Sequence, residues 1–174
     1  MNDKYKKAIE NENNIYKEMK KTVSVPKGCS TGMQEFDRAL DWLCLGSETI
    51  LDFGCGNGTM LFLCARRGVK RLYGIDLAEE GINCAELRKK MMDKGEYYFA
   101  VGSQELLQRI EDNKIDGIVL SNILDNMYPG DVTLLLAECA RILKVHGKII
   151  LFTFAKPQFV ELKSRKNFRN ESFY

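Results

Sequence analysis

The stretch ILDFGCGNGTM, residues 50–60, decides the fold. Ile50, Leu51 and Phe53 read as a buried strand, but that reading leaves Asp52 and the glycines Gly54, Gly56 and Gly58 unexplained. Glycine is poor at holding regular structure and useful where the backbone must turn tightly or approach a ligand. A strand that ends in an acid and runs into such a loop predicts a binding site at its carboxyl end.

Outward from this stretch the chain alternates. ETILDFG reads as a strand and GTMLFLCARRG as a helix closed by Gly68. RLYGIDL is a strand, and EEGINCAELRKKMMDKG a helix with acids in its first turn and lysines in its last, as the helix dipole prefers. YYFAVG is a strand, SQELLQRIEDN a helix capped by Ser103, IDGIVLSN a strand, GDVTLLLAECARILK a helix and GKIILFTF a strand. Alternation of this kind predicts an α/β fold with a doubly wound, mostly parallel sheet and helices on both faces. Upstream, VPKGCSTG reads as a loop, with Thr31 and Gln34 spaced as a capping box for the helix MQEFDRALDWLCL. Turn chemistry accounts for Gly28, Ser30 and Gly32 without an anion.

In such sheets ligands bind outside the carboxyl ends of the strands. A phosphate loop needs a lysine after its last glycine, and Thr59 follows Gly58. A dinucleotide loop needs a third glycine where Thr59 stands, which disfavours a nicotinamide oxidoreductase. Asp76 ends the second strand, and a carboxylate there can accept both hydroxyls of a ribose; it can also cap the helix that follows.

Four segments in this order, ILDFGCGNG, LYGIDLAEEGI, IDGIVLSNILDNM and LLLAECARILKVHGKIILFTF, resemble the class I S-adenosylmethionine-dependent methyltransferases over about residues 48–155. The resemblance implies a Rossmann-like methyltransferase sheet and S-adenosyl-L-methionine as cofactor. It implies that Asp52, Gly54, Cys55, Gly56 and Asn57 surround the methionine part, with Gly54 offering backbone to the amine. Asp76 would hold the ribose, Leu77 would pack on the adenine, and Gly102 and Ser103 would face its amine, where the family often has Gly-Asp. Ser121, Asn122 and Ile123 would wall the transferred methyl. Cys55 reads alternatively as a reactive thiol at a helix start or as a small buried residue; the second reading is preferred.

The expected activity is methyl transfer to a small-molecule acceptor by in-line displacement. The alternative is a non-catalytic cofactor-binding module with a regulatory or assembly role. Asp125 and Asn126, after the fourth strand, can orient an acceptor or merely cap the loop LDNMYPGD, and Asp125 is the catalytic candidate; His146, in LKVHGKII, reads as a turn residue on the far side. The domain reading is an N-terminal helix or lid over residues 1–30, the cofactor domain over 31–155 and a short basic tail over 156–174. Tyr5, Ala8, Ile9, Ile15, Tyr16 and Met19 form a helical stripe in the first part, either a frayed helix or a cover for the site. After IILFTF the remaining residues fall short of the usual last strands, so these are expected to be short or missing. That leaves an exposed edge on which a second copy can pair.

The composition sets the remaining bounds. The net charge of +2 gives no ground for a nucleic-acid partner. No apolar run is long enough for a membrane span, and no signal peptide follows the first lysines, so a cytoplasmic location is expected. Six cysteines without a C-x-x-C pair, and one histidine, predict reduced core thiols and no metal.

Overall fold

A computed structural model of the chain describes residues 3–153 and 158–161. Helix α1 (Asp3–Met19) leads through a loop to α2 (Gln34–Cys44), and the alternation follows: β1 (Thr49–Phe53), α3 (Thr59–Arg66), β2 (Arg71–Asp76), α4 (Glu79–Lys89), β3 (Glu96–Val101), β4 (Ile115–Ser121), α5 (Pro129–Ile142), β5 (Leu143–Phe152) and β6 (Gln158–Glu161). The strands form one sheet in the order β3-β2-β1-β4-β5-β6. The first five are parallel, as crossover helices require; β6 runs antiparallel to β5.

All five residues of β1 are buried, because helices cover both faces. Ile50 points into a layer built from Phe36, Leu40 and Leu43 of α2 and Leu61 and Phe62 of α3. Leu51 and Phe53 point into the opposite layer, with Leu135, Cys139 and Ile142 of α5. This is the alternation a strand must show when each neighbouring residue faces the other side. The first helix after β1 ends as its sequence demands: Gly68 has φ 96° and its N–H donates to Ala65 O at 3.0 Å.

Three local expectations are corrected. The capping box does not form: Met33 takes the cap position of α2, and Asp37 reaches back to accept from Thr31 N–H (2.7 Å) and from the Ser30 hydroxyl (2.6 Å). SQELLQRIEDN is a 3-10 turn, Gln104–Arg109, without a cap bond from Ser103. Arg141 draws the carbonyls of Leu107 and Ile110 (2.9 and 2.8 Å) towards α5, where a helix would have used them itself. Five of the six cysteines are buried, but Cys29 is exposed. The last strand is short, as expected: β6, of four residues, pairs with β5, Ile149 opposite Val160. β6 is then the edge strand on that side, and residues 154–157 and 162–174, with most of the basic tail, lie outside the described residues.

Among the described residues no helix is long and apolar enough to cross a membrane. His146, at φ 64°, sits where the register of β5 on β4 shifts, at the amino end of the strand.

Candidate functional site

From β1 the chain winds outward to β2 and β3, then returns to β4 on the other side of β1. The loops after β1 and β4 therefore leave in opposite directions, and a crevice opens between them. A cavity of about 890 Å³ occupies this place. Its wall includes Phe53 and Gly54 at the end of β1, Ile75, Asp76 and Leu77 at the end of β2, Gly102 to Glu105 after β3, and Ser121 to Ile123 at the end of β4. Residues Tyr5, Ala8, Ile9, Glu12 and Tyr16 of α1 roof it, and Asn126, Met127, Tyr128 and Asp131 close the far side.

The glycine loop answers the question its sequence raised. Gly54 has φ 81° and packs under Ile123, whose Cδ1 is 3.0 Å from where a Cβ would stand. Gly56 has φ 50°, and a Cβ there would overlap the Tyr16 hydroxyl. Both positions combine a left-handed backbone with close approach, which only glycine meets cheaply. The loop hangs on β2: the N–H groups of Gly54 and Cys55 donate to Ile75 O at 2.8 and 3.1 Å.

Asp76 joins two loops. Its carboxylate accepts from Gly56 N–H at 2.6 Å and from Ala78 N–H at 2.7 Å, while Ala78 takes the cap position of α4. A carboxylate has about four lone-pair sites, so it retains acceptors for a ligand after both backbone bonds. Asp52 lies one residue behind the wall, 1% exposed, and its Oδ1 has no hydrogen-bond partner. Burial, and then the charge of Asp76, push its carboxyl up to about 8. Burial likewise raises Asp76 despite its backbone bonds, and raises Glu12, on which Asp76 also acts. The Tyr16 phenol is held well above its usual range by burial and then by Asp76. These shifts share one cause: acids crowd a poorly solvated place, and no Lys, Arg or His lines the cavity among the described residues. An orphaned buried carboxylate oxygen, spare acceptors on Asp76 and a glycine cradle fit a ligand that brings positive charge and hydroxyl groups.

Of the residues singled out from the sequence, Gly54, Asp76, Leu77, Gly102, Ser103, Ser121, Asn122 and Ile123 reach the wall. Cys55, Gly56 and Asn57 do not, because Tyr16 lies in the notch between Gly56 and Gly81. Cys55 is buried, and burial and then Asp52 push its thiol up, which agrees with the preferred reading of a small buried residue. Asn57 turns its side chain to the Thr59 hydroxyl (2.7 Å). Asp125 is exposed on a 3-10 turn and does not line the cavity; Asn126 and Asp131 do. Asn122 holds φ 54° and donates its N–H to Phe152 O at 2.8 Å, which sets the turn that brings Ile123 over Gly54.

The acidic and amide residues missed from the sequence are Glu12, Gln104, Glu105 and Asp131. Glu12 had a signal. Positions 5, 8, 9, 12 and 16 share one helical face, and a stripe counted on apolar residues passes over the acid within it. Helix α1 is fastened at both ends of the cavity. The Tyr5 hydroxyl donates to Asp131 Oδ2 at 2.5 Å and accepts from Tyr128 N–H at 2.9 Å. At the other end Asn13 Oδ1 accepts from Glu80 N–H at 2.9 Å, and Lys20 pairs with Glu80.

Comparison with known proteins agrees with this architecture. Ubiquinone biosynthesis O-methyltransferase of Neisseria meningitidis is 26% identical over 112 residues, 64% of this chain and 46% of that protein. Ribosomal protein L11 methyltransferase of a Shewanella species is 28% identical over 123 residues, 71% of this chain and 39% of that protein. The chain thus spans less than half the length of these two relatives. Among solved structures, a SAM-dependent methyltransferase of Archaeoglobus fulgidus superposes with a TM-score of 0.56 at 25% identity, over 66% of this chain and 48% of that one. One from Methanosarcina mazei gives 0.53 at 28% identity, over 60% and 52%. The family model described as a methyltransferase domain matches residues 51–151. Since that match runs from the strand before the glycine loop to the fifth strand and takes in more than half of the residues, the chain belongs to the methyltransferase-domain family.

Proposed function

We propose that this chain is an S-adenosylmethionine-dependent methyltransferase that acts on a small-molecule acceptor, with α1 as the roof of its site. The observation that carries the reading is the placement of the acids: Asp76 on the wall and Asp52 behind it, with an unpartnered oxygen, beside a glycine loop at the switch point of the sheet. The cofactor supplies a methyl group already activated on a sulfonium. Asp52 would provide the buried counter-charge, Gly54 the close backbone approach, and Asp76 the acceptors for ribose hydroxyls. Leu77 would pack on the adenine, with Gly102 and Ser103 at its amine, and Ser121, Asn122 and Ile123 would wall the acceptor side. The work of the chain is therefore orientation and exclusion of water. A cavity of this volume beneath a helix suits a small molecule, since such sites measure roughly 300–1,000 Å³.

Calorimetric titration of the chain with S-adenosylmethionine and S-adenosylhomocysteine tests the reading. Micromolar binding of either is expected; a folded chain that binds neither overturns it.

The titration of Asp52 gives a second check. In the folded chain it keeps its proton up to about pH 8, whereas an unfolded aspartate releases it near about pH 4. Between these values the folded state binds more protons, so stability falls as pH rises through the window and levels off above it. A cation bound beside Asp52 favours the carboxylate, so cofactor binding near neutral pH releases a proton. Binding enthalpies measured in buffers of different ionisation heat should therefore differ more for the native chain than for Asp52→Asn. Buffer-independent enthalpies in the native chain would show that Asp52 takes no part.

A further inference from the structure

We propose that the half of this cavity between α1 and α5 takes a small amine and turns away carboxylates. The inference rests on the methyltransferase reading and names the acceptor class for the same site.

This half is built as an apolar slot with an acceptor at its end. Tyr5 and Tyr128 meet edge to face, with centroids 5.4 Å apart and planes at 73°. Ile9 and Met127 complete the slot, which suits a ring or short hydrocarbon. The polar groups within it are then counted by what they can still do. The Tyr5 hydroxyl spends its proton on Asp131 Oδ2 and accepts the Tyr128 N–H. The Asn126 side-chain amide donates to Asn122 O at 3.0 Å. The Tyr5 hydroxyl is engaged both ways and the Asn126 amide has one hydrogen in use, while the carboxylates of Asp131 and Glu12 offer more lone pairs than these bonds use. Acceptors outnumber donors in the slot, which favours a ligand that brings donors, as an ammonium does, and sets a carboxylate against Asp131 and Glu12.

Charge agrees with this inventory. Glu12, Asp76, Glu105 and Asp131 line the cavity, and among the described residues no Lys, Arg or His does. S-adenosylmethionine carries a sulfonium, an ammonium and a carboxylate, so it offsets only part of that negative charge. The remaining field attracts a cation and repels an anion across a poorly solvated gap. Burial and Asp76 raise the Glu12 carboxyl, as a field without a compensating cation should.

The test uses three probes of matched shape, phenethylamine, phenethyl alcohol and 3-phenylpropionate, titrated into the full chain saturated with S-adenosylhomocysteine. The amine is expected to bind at least about tenfold tighter than the carboxylate, with the alcohol between them. Asp131→Asn keeps an acceptor for the Tyr5 hydroxyl and removes the charge. It should bring the amine level with the alcohol while S-adenosylhomocysteine affinity stays within about twofold. If the homocysteine product binds but the carboxylate equals or exceeds the amine, or the amine does not bind at all, the amine assignment is overturned and the cofactor reading stands. If a folded chain does not bind S-adenosylhomocysteine, both are overturned.

Discussion

Asp76→Ala is expected to weaken S-adenosylhomocysteine binding by roughly 1.5–3 kcal/mol, about 10- to 150-fold, as for lost hydrogen bonds to a charged group. The mechanism has two parts. The side chain would supply acceptors to the ribose, and it also holds Gly56 N–H and Ala78 N–H, tying the glycine loop to the start of α4. Removing it frees both loops at the moment they must present a fixed surface. Asp76→Asn separates the parts, because the amide oxygen keeps one acceptor while the charge goes. Calorimetry on variants shown to be folded by thermal melting reads the effect. Unchanged affinity in folded Asp76→Ala would reduce the residue to a link between loops.

Phe62→Ala should cost stability on the scale of a buried aromatic truncation, about 3–5 kcal/mol, out of the roughly 5–15 kcal/mol that holds a domain of this kind. Phe62 is fully buried. Its ring lies 5.1 Å from that of Tyr97 and 6.1 Å from that of Phe99, and the Arg88 guanidinium stands 5.0 Å over it. Its Cε2 is also 3.2 Å from where a Cβ on Gly58 would stand, so the ring supports the glycine loop from below. Arg88 is in turn bound to Asn57 O and the Thr59 hydroxyl at 2.6 and 2.8 Å. The cavity left behind is therefore walled by groups tied to one another and collapses little. Urea unfolding followed by circular dichroism measures the loss; a change below about 1 kcal/mol would mean that the neighbours close in after all.

The central layers were legible because their signal is periodic and repeated. Ile50, Leu51 and Phe53 could only be a two-sided strand, and Gly54, Gly56 and Gly58 could only be a loop pressed against something. Asp76 was legible by position, at the end of the next strand. What the sequence hid depends on partners far along the chain. Nothing local in SQELLQRIEDN tells that Arg141 will claim its carbonyls. Nothing near Gly56 tells that Tyr16, forty residues earlier as 56 − 16, will fill the notch above it. Asp125 and Asp131 look alike as sequence, two acids in a loop and a first turn. The path of the chain after Asn122, at its left-handed φ, turns one to solvent and the other to the cavity. The short β6 was obscured because four residues of a weak pattern become a strand only when an edge is there to receive them.

The strand order has a consequence for how the molecule comes into being. β1, β2 and β3 are joined by short crossovers and can assemble from neighbouring sequence. The contact between β1 and β4, with Ile50 opposite Gly117, must wait until that whole unit has formed or been bypassed. Closing so long a stretch of chain costs entropy before any pairing rewards it, so this contact governs the folding rate. Until it forms, the inner edge of β1 from Ile50 to Asp52 stays open, and that run leads directly into Phe53 and Gly54, which wall the site.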